Sequence, residues 1–281
     1  MESNTMLEYP EVSNMELDYY SRVFFKIPED IITRFEMGEQ RVAVFSYLSI
    51  RRGIDYRVTS SINEIVSFLD RTPRRGKNEI NFKISNTLRI LSDKNYIALI
   101  NKAGKQENGA LQTFSFNDQK VQESKRYAIV YIDEVDKIIN SSYSNKDMLL
   151  LVFAYLKMKI IKRKNQFSKT KYKDKTDYRK RHPEAYNSYY SEMVKDLGIS
   201  AHVIKKAAET LAELGLIYIE ELPRKLYRSS NGQDRWMTNY TLFCGTYKRE
   251  RIYQFAKGRD YYMEEVKNKK AIINGCQEGG D

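Results

Sequence analysis

Hydrophobic and polar positions along the chain form a pattern that occurs twice. Residues 23–100 and 130–220 share an ordered series of similar segments. The matched segments are 23–27 with 130–134, 45–48 with 153–156, 63–66 with 191–194, and 91–97 with 211–217. The offset changes from 107 to 108, 128 and 120 residues, as expected when loops vary between two copies of a fixed core pattern. The sequence therefore predicts a duplicated small domain, each copy with its own hydrophobic core.

The first copy is predicted to contain three core helices followed by a β-hairpin. Pro28, with Glu29 and Asp30 after it, resembles a helix start, and Ser61 with Glu64 forms a capping-box sequence. Apolar residues at helical spacing predict the helices, and alternation predicts the strands. The predicted elements are a β-type run at 23–27, helices at 40–51, 61–72 and 79–94, and strands at 96–100 and 111–116.

The second copy repeats this order of elements. Ser144 and Ser200 are candidate helix caps, and Gly215 is a helix end. The predicted elements are helices at 144–161, 189–197 and 200–213 and strands at 216–221 and 236–243, with a hairpin tip at 223–235. The predicted organisation is an acidic arm at 1–20, a first domain at 21–116, a polar linker at 117–126, a second domain at 127–245 with a basic insertion at 157–188, and a basic, aromatic tail at 246–281.

Helix, helix-turn-helix and β-hairpin in this order resembles the winged-helix fold. The resemblance implies an α+β, mainly α, protein with two tandem winged-helix domains. In such a unit the third helix enters the major groove of DNA, so its exposed face should offer hydrogen-bonding side chains.

The charge of the chain indicates a polyanionic partner. Among 281 residues, Lys and Arg number 48 against 37 Asp and Glu, a net charge of +11, which favours nucleic acid. The acidic N-terminal segment is the reverse of a signal peptide, and the longest apolar run, 148–156, is too short to span a bilayer, so we expect a cytoplasmic protein. Cys244 and Cys276 lack partners at ligand spacing, so we expect no disulfide framework, metal or cofactor.

Candidate DNA contacts fall on both third helices. In the first copy, residues on the predicted solvent face could pair with adenine or guanine: Asn78, Asn81, Ser85, Asn86 and Arg89. The second copy presents a more cationic face, suited to phosphates: His202, Lys205 and Lys206. A role for His202 as a metal ligand or base lacks a partner residue at the required spacing.

Further basic residues are concentrated in turns and in the insertion. Residues 157–181 hold 12 Lys and Arg against two Asp, interleaved with aromatic residues that could stack on unpaired bases. The candidate phosphate contacts of this insertion are Lys162, Arg163, Lys164, Lys169, Lys171 and Lys173. The turn before the first recognition helix adds Arg71, Arg74, Arg75 and Lys77. The hairpin tips add Lys102, Lys105, Arg224, Lys225 and Arg228.

Enzymatic motifs are hard to find in the sequence. Gly76-Lys77 and Gly104-Lys105 are followed by Asn and Gln, so a phosphate-binding loop is not encoded. Only two histidines occur, too few for the metal site of a nicking enzyme. The acids at 133–136 fall at a helix start, where capping is a better explanation than a metal site. We therefore expect a protein that is not an enzyme.

Taken together, the two copies resemble the plasmid and phage replication initiators of the tandem winged-helix type. The resemblance implies binding of double-stranded DNA at origin repeats, recruitment of host replication proteins and, as an open alternative, a homodimer. In that family the second domain usually carries the tighter major-groove grip, whereas here the better base-reading face is in the first copy. A transcriptional regulator built from the same modules is the alternative, and an enzyme acting on DNA is a third.

Overall fold

The computed structural model describes the backbone of residues 23–74, 76, 79–101, 109–168, 185–188, 190–221, 226–228, 234–236 and 241–245. Within these residues the protein is an α+β structure, mostly helical with small antiparallel sheets. The predicted acidic arm at 1–20 and the tail at 246–281 lie outside them.

The first copy follows the predicted order of helices and adds one strand. Its elements are β1 (Phe24–Pro28), α1 (Glu29–Thr33), a 3-10 turn (Phe35–Met37), α2 (Arg41–Arg51), β2 (Arg57–Ser60), α3 (Ile62–Phe68), α4 (Ile80–Asp93), β3 (Ile97–Asn101) and β4 (Gln112–Phe116). The capping box is confirmed, because Ser61 Oγ accepts from Glu64 N and Glu64 Oε2 accepts from Ser61 N. Strand β2, which was not predicted, pairs with β4, so the hairpin belongs to a three-stranded antiparallel sheet in the order β2-β4-β3.

The second copy has the same plan. Its elements are β5 (Tyr127–Tyr131), α6 (Ile132–Ile139), α7 (Lys146–Ser168), β6 (Ala185–Ser188), α8 (Tyr190–Leu197), α9 (Ala201–Glu213), β7 (Ile217–Glu221), β8 (Leu226–Arg228), β9 (Asp234–Trp236) and β10 (Thr241–Gly245). Its sheet order, β6-β10-β7, matches that of the first copy, and β8 pairs with β9 within the hairpin. Two parts of the predicted basic insertion at 157–188 are therefore regular structure, namely the second half of α7 and strand β6.

The predicted linker at 117–126 is also structured. It forms a short helix, α5 (Asp118–Gln122), that is capped by Asn117, whose side chain accepts from Lys120 N. Val121 is buried, and Lys26 Nζ donates to Gln122 Oε1 at 2.7 Å. The short helix packs against β1, and its apolar residue, Val121, is buried in the core.

Matching local geometry supports the duplication at residue level. After α4, Tyr96 N donates to Leu91 O at 2.9 Å, and after α9, Leu216 N donates to Leu211 O at 2.9 Å. The turn residue is in the left-handed region in both copies, Asn95 at φ 61° and Gly215 at φ 68°. Both motifs fit the offset of 120. The cross-strand partners of the first three residues of β3 and β7 follow the same register, and β3 then has a register shift between Leu99 and Asn101.

The predicted match of 23–27 with 130–134 is wrong. When residues 24–28 are aligned with residues 127–131, strands β1 and β5 have the same pattern of buried residues. The second, fourth and fifth residues are buried in both. The offset is therefore 103 at this element. The sequence match failed because residues 132–134 already belong to a helix, in which apolar residues follow a different spacing.

Strands β1 and β5 pair with each other across the two copies. They are antiparallel, with Phe24 opposite Tyr131 and Pro28 opposite Tyr127. The central pair is Lys26 with Ile129, and these two residues are equivalent positions in the repeat. An antiparallel pair of equivalent strands has a local two-fold axis at its centre, so the copies meet there through the same element.

Reciprocal polar contacts also join the two copies. At the start of α2, Arg41 Nη2 donates to Leu197 O at the end of α8, at 3.3 Å. At the start of α7, Lys146 Nζ donates to Asp70 Oδ2, just beyond α3, at 3.0 Å. The first residue of α2 in one copy thus contacts the end of α8 in the other. The first residue of α7 in turn contacts the residue that follows the end of α3.

Asp147 uses both of its carboxylate oxygens to hold residues of the other copy. It is 1% exposed, its Oδ2 accepts from Gln40 Nε2 at 2.9 Å, and its Oδ1 accepts from Arg71 Nη2 at 2.7 Å. A buried carboxylate needs such partners, because an unpaired charge out of water is costly.

The expectation of two separate hydrophobic cores is wrong. Buried residues of both copies form one cluster, which runs from Ile27 and Val44 through Leu149 to Ala208 and Phe243. Residues 148–156 in α7 are buried on every side of the helix, which explains why this run is apolar all round. In the described residues, no helix combines the length and the apolar character needed to cross a membrane.

We expect Asp147→Asn to lower the free energy of unfolding of the whole chain by about 1–3 kcal/mol, because a buried, charge-assisted hydrogen bond is lost. Urea unfolding should be followed by the fluorescence of the single Trp, Trp236, and by far-UV circular dichroism. Both transitions should shift together, because the copies share a core. The exposed Asp55→Asn is the matched control and should change the free energy by less than about 0.5 kcal/mol. Two separate transitions would contradict the shared core.

Candidate nucleic-acid interface

Helix α4 presents a polar and basic face to solvent. Ile84 and Leu91 are fully buried, whereas Phe82, Lys83 and Arg89 are exposed. Ser85 and Asn86 are half-buried on the same side. The helix carries no acidic residue before Asp93, its last. This face can therefore approach a polyanion and still offer groups that form directed hydrogen bonds.

Arg89 is held in place by its neighbours on the helix. Its Nη2 donates to Asn86 Oδ1 at 2.9 Å, and its Nη1 lies 3.2 Å from Asp93 Oδ2. Both side chains of the Arg89–Asp93 pair are more than half exposed, so the ion pair is weak and the guanidinium remains free to exchange partners. Two of the predicted base-reading residues, Asn86 and Arg89, thus lie side by side.

Asn81 does not lie on the exposed face as predicted. It is 2% exposed, its Oδ1 accepts from Arg74 N at 2.8 Å, and its Nδ2 donates to Asn63 Oδ1 at 2.9 Å. Asn81 is the second residue of α4, and its side chain faces α3. It connects Asn63 of α3 with the backbone of the turn that precedes α4. Asn81 is part of the framework that positions α4.

The turn before α4 is only partly free to meet a phosphate. Arg74 is exposed, as expected for a residue that contacts the phosphate backbone of DNA. Arg71 is half-buried and is bound to Asp147 of the other copy, so its guanidinium is already used. Arg75, Lys77 and Asn78 lie outside the described residues.

Helix α9 presents two exposed lysines at positions equivalent to neutral residues of α4. Its start is capped as predicted, since Ser200 Oγ accepts from Val203 N at 3.4 Å. His202, Lys205 and Lys206 are all exposed. With the offset of 120, Lys205 and Lys206 correspond to Ser85 and Asn86 of α4. The second copy therefore has cations at two positions where the first has neutral hydrogen-bonding groups. At the position of Arg89 it has an exposed acid, Glu209, whose Oε1 lies 3.8 Å from Lys205 Nζ.

The basic insertion begins with two lysines that serve the fold. Lys157 Nζ contacts Glu134 Oε1 at 3.0 Å, and Lys159 Nζ contacts Asp196 Oδ2 at 2.7 Å. They pair inside the protein because α7 continues past the predicted start of the insertion. Of the other predicted contacts, only the backbone is described for Lys162, Arg163, Lys164 and Arg228. The remainder lie outside the described residues: Lys102, Lys105, Lys169, Lys171, Lys173, Arg224 and Lys225.

One of the acids at 133–136, Glu134, has the capping role that the sequence indicates. Glu134 Oε2 accepts from Tyr131 N at 3.0 Å at the start of α6, while its other oxygen pairs with Lys157. In the part of the chain that the structure describes, no group of three His, Cys, Asp or Glu residues is arranged to hold a metal ion.

Phe82 is the feature of this interface that the sequence analysis did not single out. Its place between Asn81 and Lys83 put it beside the predicted polar face, but a Phe at a helix start is usually assigned to the core. Comparison with known proteins gives no guide here, since no family model and no curated protein matches the sequence.

Asn81→Ala should lower the free energy of unfolding by about 1–3 kcal/mol, because Asn63 and the Arg74 amide lose their partner in a buried site. Ser85→Ala, on the half-exposed side of the same helix, is the control and should change it by less than about 0.5 kcal/mol. Chemical denaturation of the purified variants measures both. Equal stability of the two variants would show that the Asn81 side chain is not needed for the fold and is available for ligand binding.

Proposed function

We propose that the chain is a sequence-specific double-stranded DNA-binding protein composed of two tandem winged-helix domains. In this proposal α3 with α4, and α8 with α9, are the helix-turn-helix units, and the hairpins that begin with β3 and β7 are the wings. The order of elements and the sheet order, which are the same in both copies, support this assignment. The observation that carries the function is the exposed face of α4, which has no acidic residue before Asp93, in a chain of net charge +11.

The two helices would contribute differently to binding. Arg89 would pair with guanine and Asn86 with adenine, since these side chains match the donor and acceptor groups of those bases in the major groove. Lys205 and Lys206 would neutralise phosphates and so add affinity without sequence preference. In this proposal the first copy reads bases and the second copy binds phosphates, because the solvent-facing side chains of α4 and α9 differ.

Within this class, a replication initiator acting at origin repeats of a plasmid, phage or mobile element is the function we favour. A shared core holds the two DNA-binding units at a fixed separation, which suits a site of defined length covering two successive major grooves, roughly 20 base pairs. Exposed residues outside the two helices would then be open to host replication proteins. A transcriptional regulator with the same modules is the alternative.

Duplex binding should depend strongly on salt. With about 6 to 10 phosphates neutralised, log affinity should fall against log salt with a slope of roughly −5 to −9. Lys205→Ala combined with Lys206→Ala should weaken selected and random duplexes alike and make the slope less steep by about 2, because two phosphate contacts are lost.

Arg89→Ala is the matched variant in that titration. It should cost about 1–3 kcal/mol on a duplex selected from a random library and much less on random duplex, because it removes a base contact. A slope near zero for the unmodified protein, or equal losses from Arg89→Ala on both duplexes, contradicts the proposed division.

Replication and regulation can be separated by plasmid maintenance. A plasmid that lacks an origin, and that carries this gene with its flanking DNA, should be maintained in the host, whereas the Arg89→Ala version should be lost. Footprinting of the flanking DNA should show protected segments of roughly 20 base pairs arranged as repeats. Loss of the unmodified plasmid, with protection confined to a promoter, would favour the regulator.

A further inference from the structure

One large apolar side chain lies on the exposed face of α4. Phe82, the third residue of the helix, is 50% exposed, while Ile80, Ile84, Leu88 and Leu91 of the same helix are at most 8% exposed. The ring is therefore not needed to complete the core. Burying it against a ligand would be favourable, since apolar surface would leave water.

The surroundings of Phe82 indicate which ligand would cover it. Ser85, Asn86 and Arg89 follow at spacings of three, four and seven residues, so they lie on the same side of the helix. Lys83 is exposed beside the ring. A single ring among cations and hydrogen-bonding groups suits the edge of a DNA groove better than an apolar protein surface, which would leave these polar groups without partners.

The dimensions of the helix fit a short stretch of base pairs. With a rise of 1.5 Å per residue, Phe82 and Arg89 are separated by about 10 Å along the helix axis, which corresponds to about three base pairs. A helix in the major groove could thus present Phe82, Asn86 and Arg89 to neighbouring base pairs.

We propose that Phe82 is a specificity-determining residue that contacts the C5-methyl group of a thymine in the major groove. This inference rests on the proposed DNA-binding function and adds the base that the ring would recognise. The thymine methyl is the apolar group that base pairs expose in the major groove, and Phe is among the side chains that contact it. The thymine lies within about three base pairs of the guanine paired with Arg89.

The second copy is not equipped for the same contact. The position equivalent to Phe82 is His202, which is exposed and more polar. Thymine reading is therefore assigned to α4, and His202→Ala becomes the matched control.

The test uses the full chain and a duplex selected from a random library with the unmodified protein. Each thymine is replaced in turn by deoxyuridine, which pairs identically but lacks the methyl group. One replacement should weaken binding by the unmodified protein about three- to tenfold, the effect expected for burial of one methyl group. Phe82→Ala should bind the thymine and uracil duplexes equally, whereas His202→Ala should retain the discrimination.

Each result decides one of the two proposals. If deoxyuridine weakens Phe82→Ala and the unmodified protein equally, or if Phe82→Ala weakens random and selected duplexes alike, the thymine contact is overturned while DNA binding stands. If the unmodified protein binds no duplex at low salt, the proposed function itself fails. Phe82→Gln, which keeps a long side chain with good helix propensity but removes the apolar ring, replaces Phe82→Ala if that variant does not fold, and it should likewise bind the thymine and uracil duplexes equally.

Discussion

The pairing of β1 with β5 is the constraint on which the arrangement of the two copies depends. A two-stranded sheet is marginal on its own, so this one needs support from the core beneath it. Phe25 and Ile27 from one strand and Ala128 and Val130 from the other supply that support by their burial. Because each copy contributes one strand, neither copy completes this element alone. The duplicated units are thereby fixed to each other, and the separation of α4 and α9 becomes a property of the core.

Buried cations at the boundary make this arrangement specific. The guanidinium of Arg41 donates to the carbonyl oxygens of Ile32, Gly38 and Leu197, of which the last belongs to the other copy. Burial lowers the pKa of Arg41 to about 10, although Glu36 and Glu39 oppose the change. The side chain therefore stays charged at neutral pH, where a displaced neighbour would leave that charge without an acceptor. Directed contacts of this kind select one relative orientation of the copies, which apolar packing alone would define less sharply.

Local signals in the sequence were enough for the helices and for strands β3, β4 and β7, but not for the additional strand that completes each sheet. The capping box at Ser61 and the apolar spacing in 79–94 act within one or two turns, and both are confirmed. Strands β2 and β6 have four residues each, and they are held by partners more than 50 residues away, so no local pattern reveals them. The burial of Asn81 likewise depends on Asn63 of another helix. What the sequence could not predict are thus contacts that exist only after the chain has folded.

Helices α4 and α9, which are the equivalent helices of the two copies, differ mainly at the positions that face solvent. At the offset of 120, Ile84 and Leu91 correspond to Ile204 and Leu211, and all four are buried. On the solvent-facing side, Phe82, Ser85 and Asn86 correspond to His202, Lys205 and Lys206. Packing restricts the buried positions because a change of volume there is costly, whereas the exposed positions are free to follow a ligand. Under the proposed function, a duplicated framework with two different surfaces would suit an asymmetric DNA site, in which one unit would read bases while the other would supply affinity.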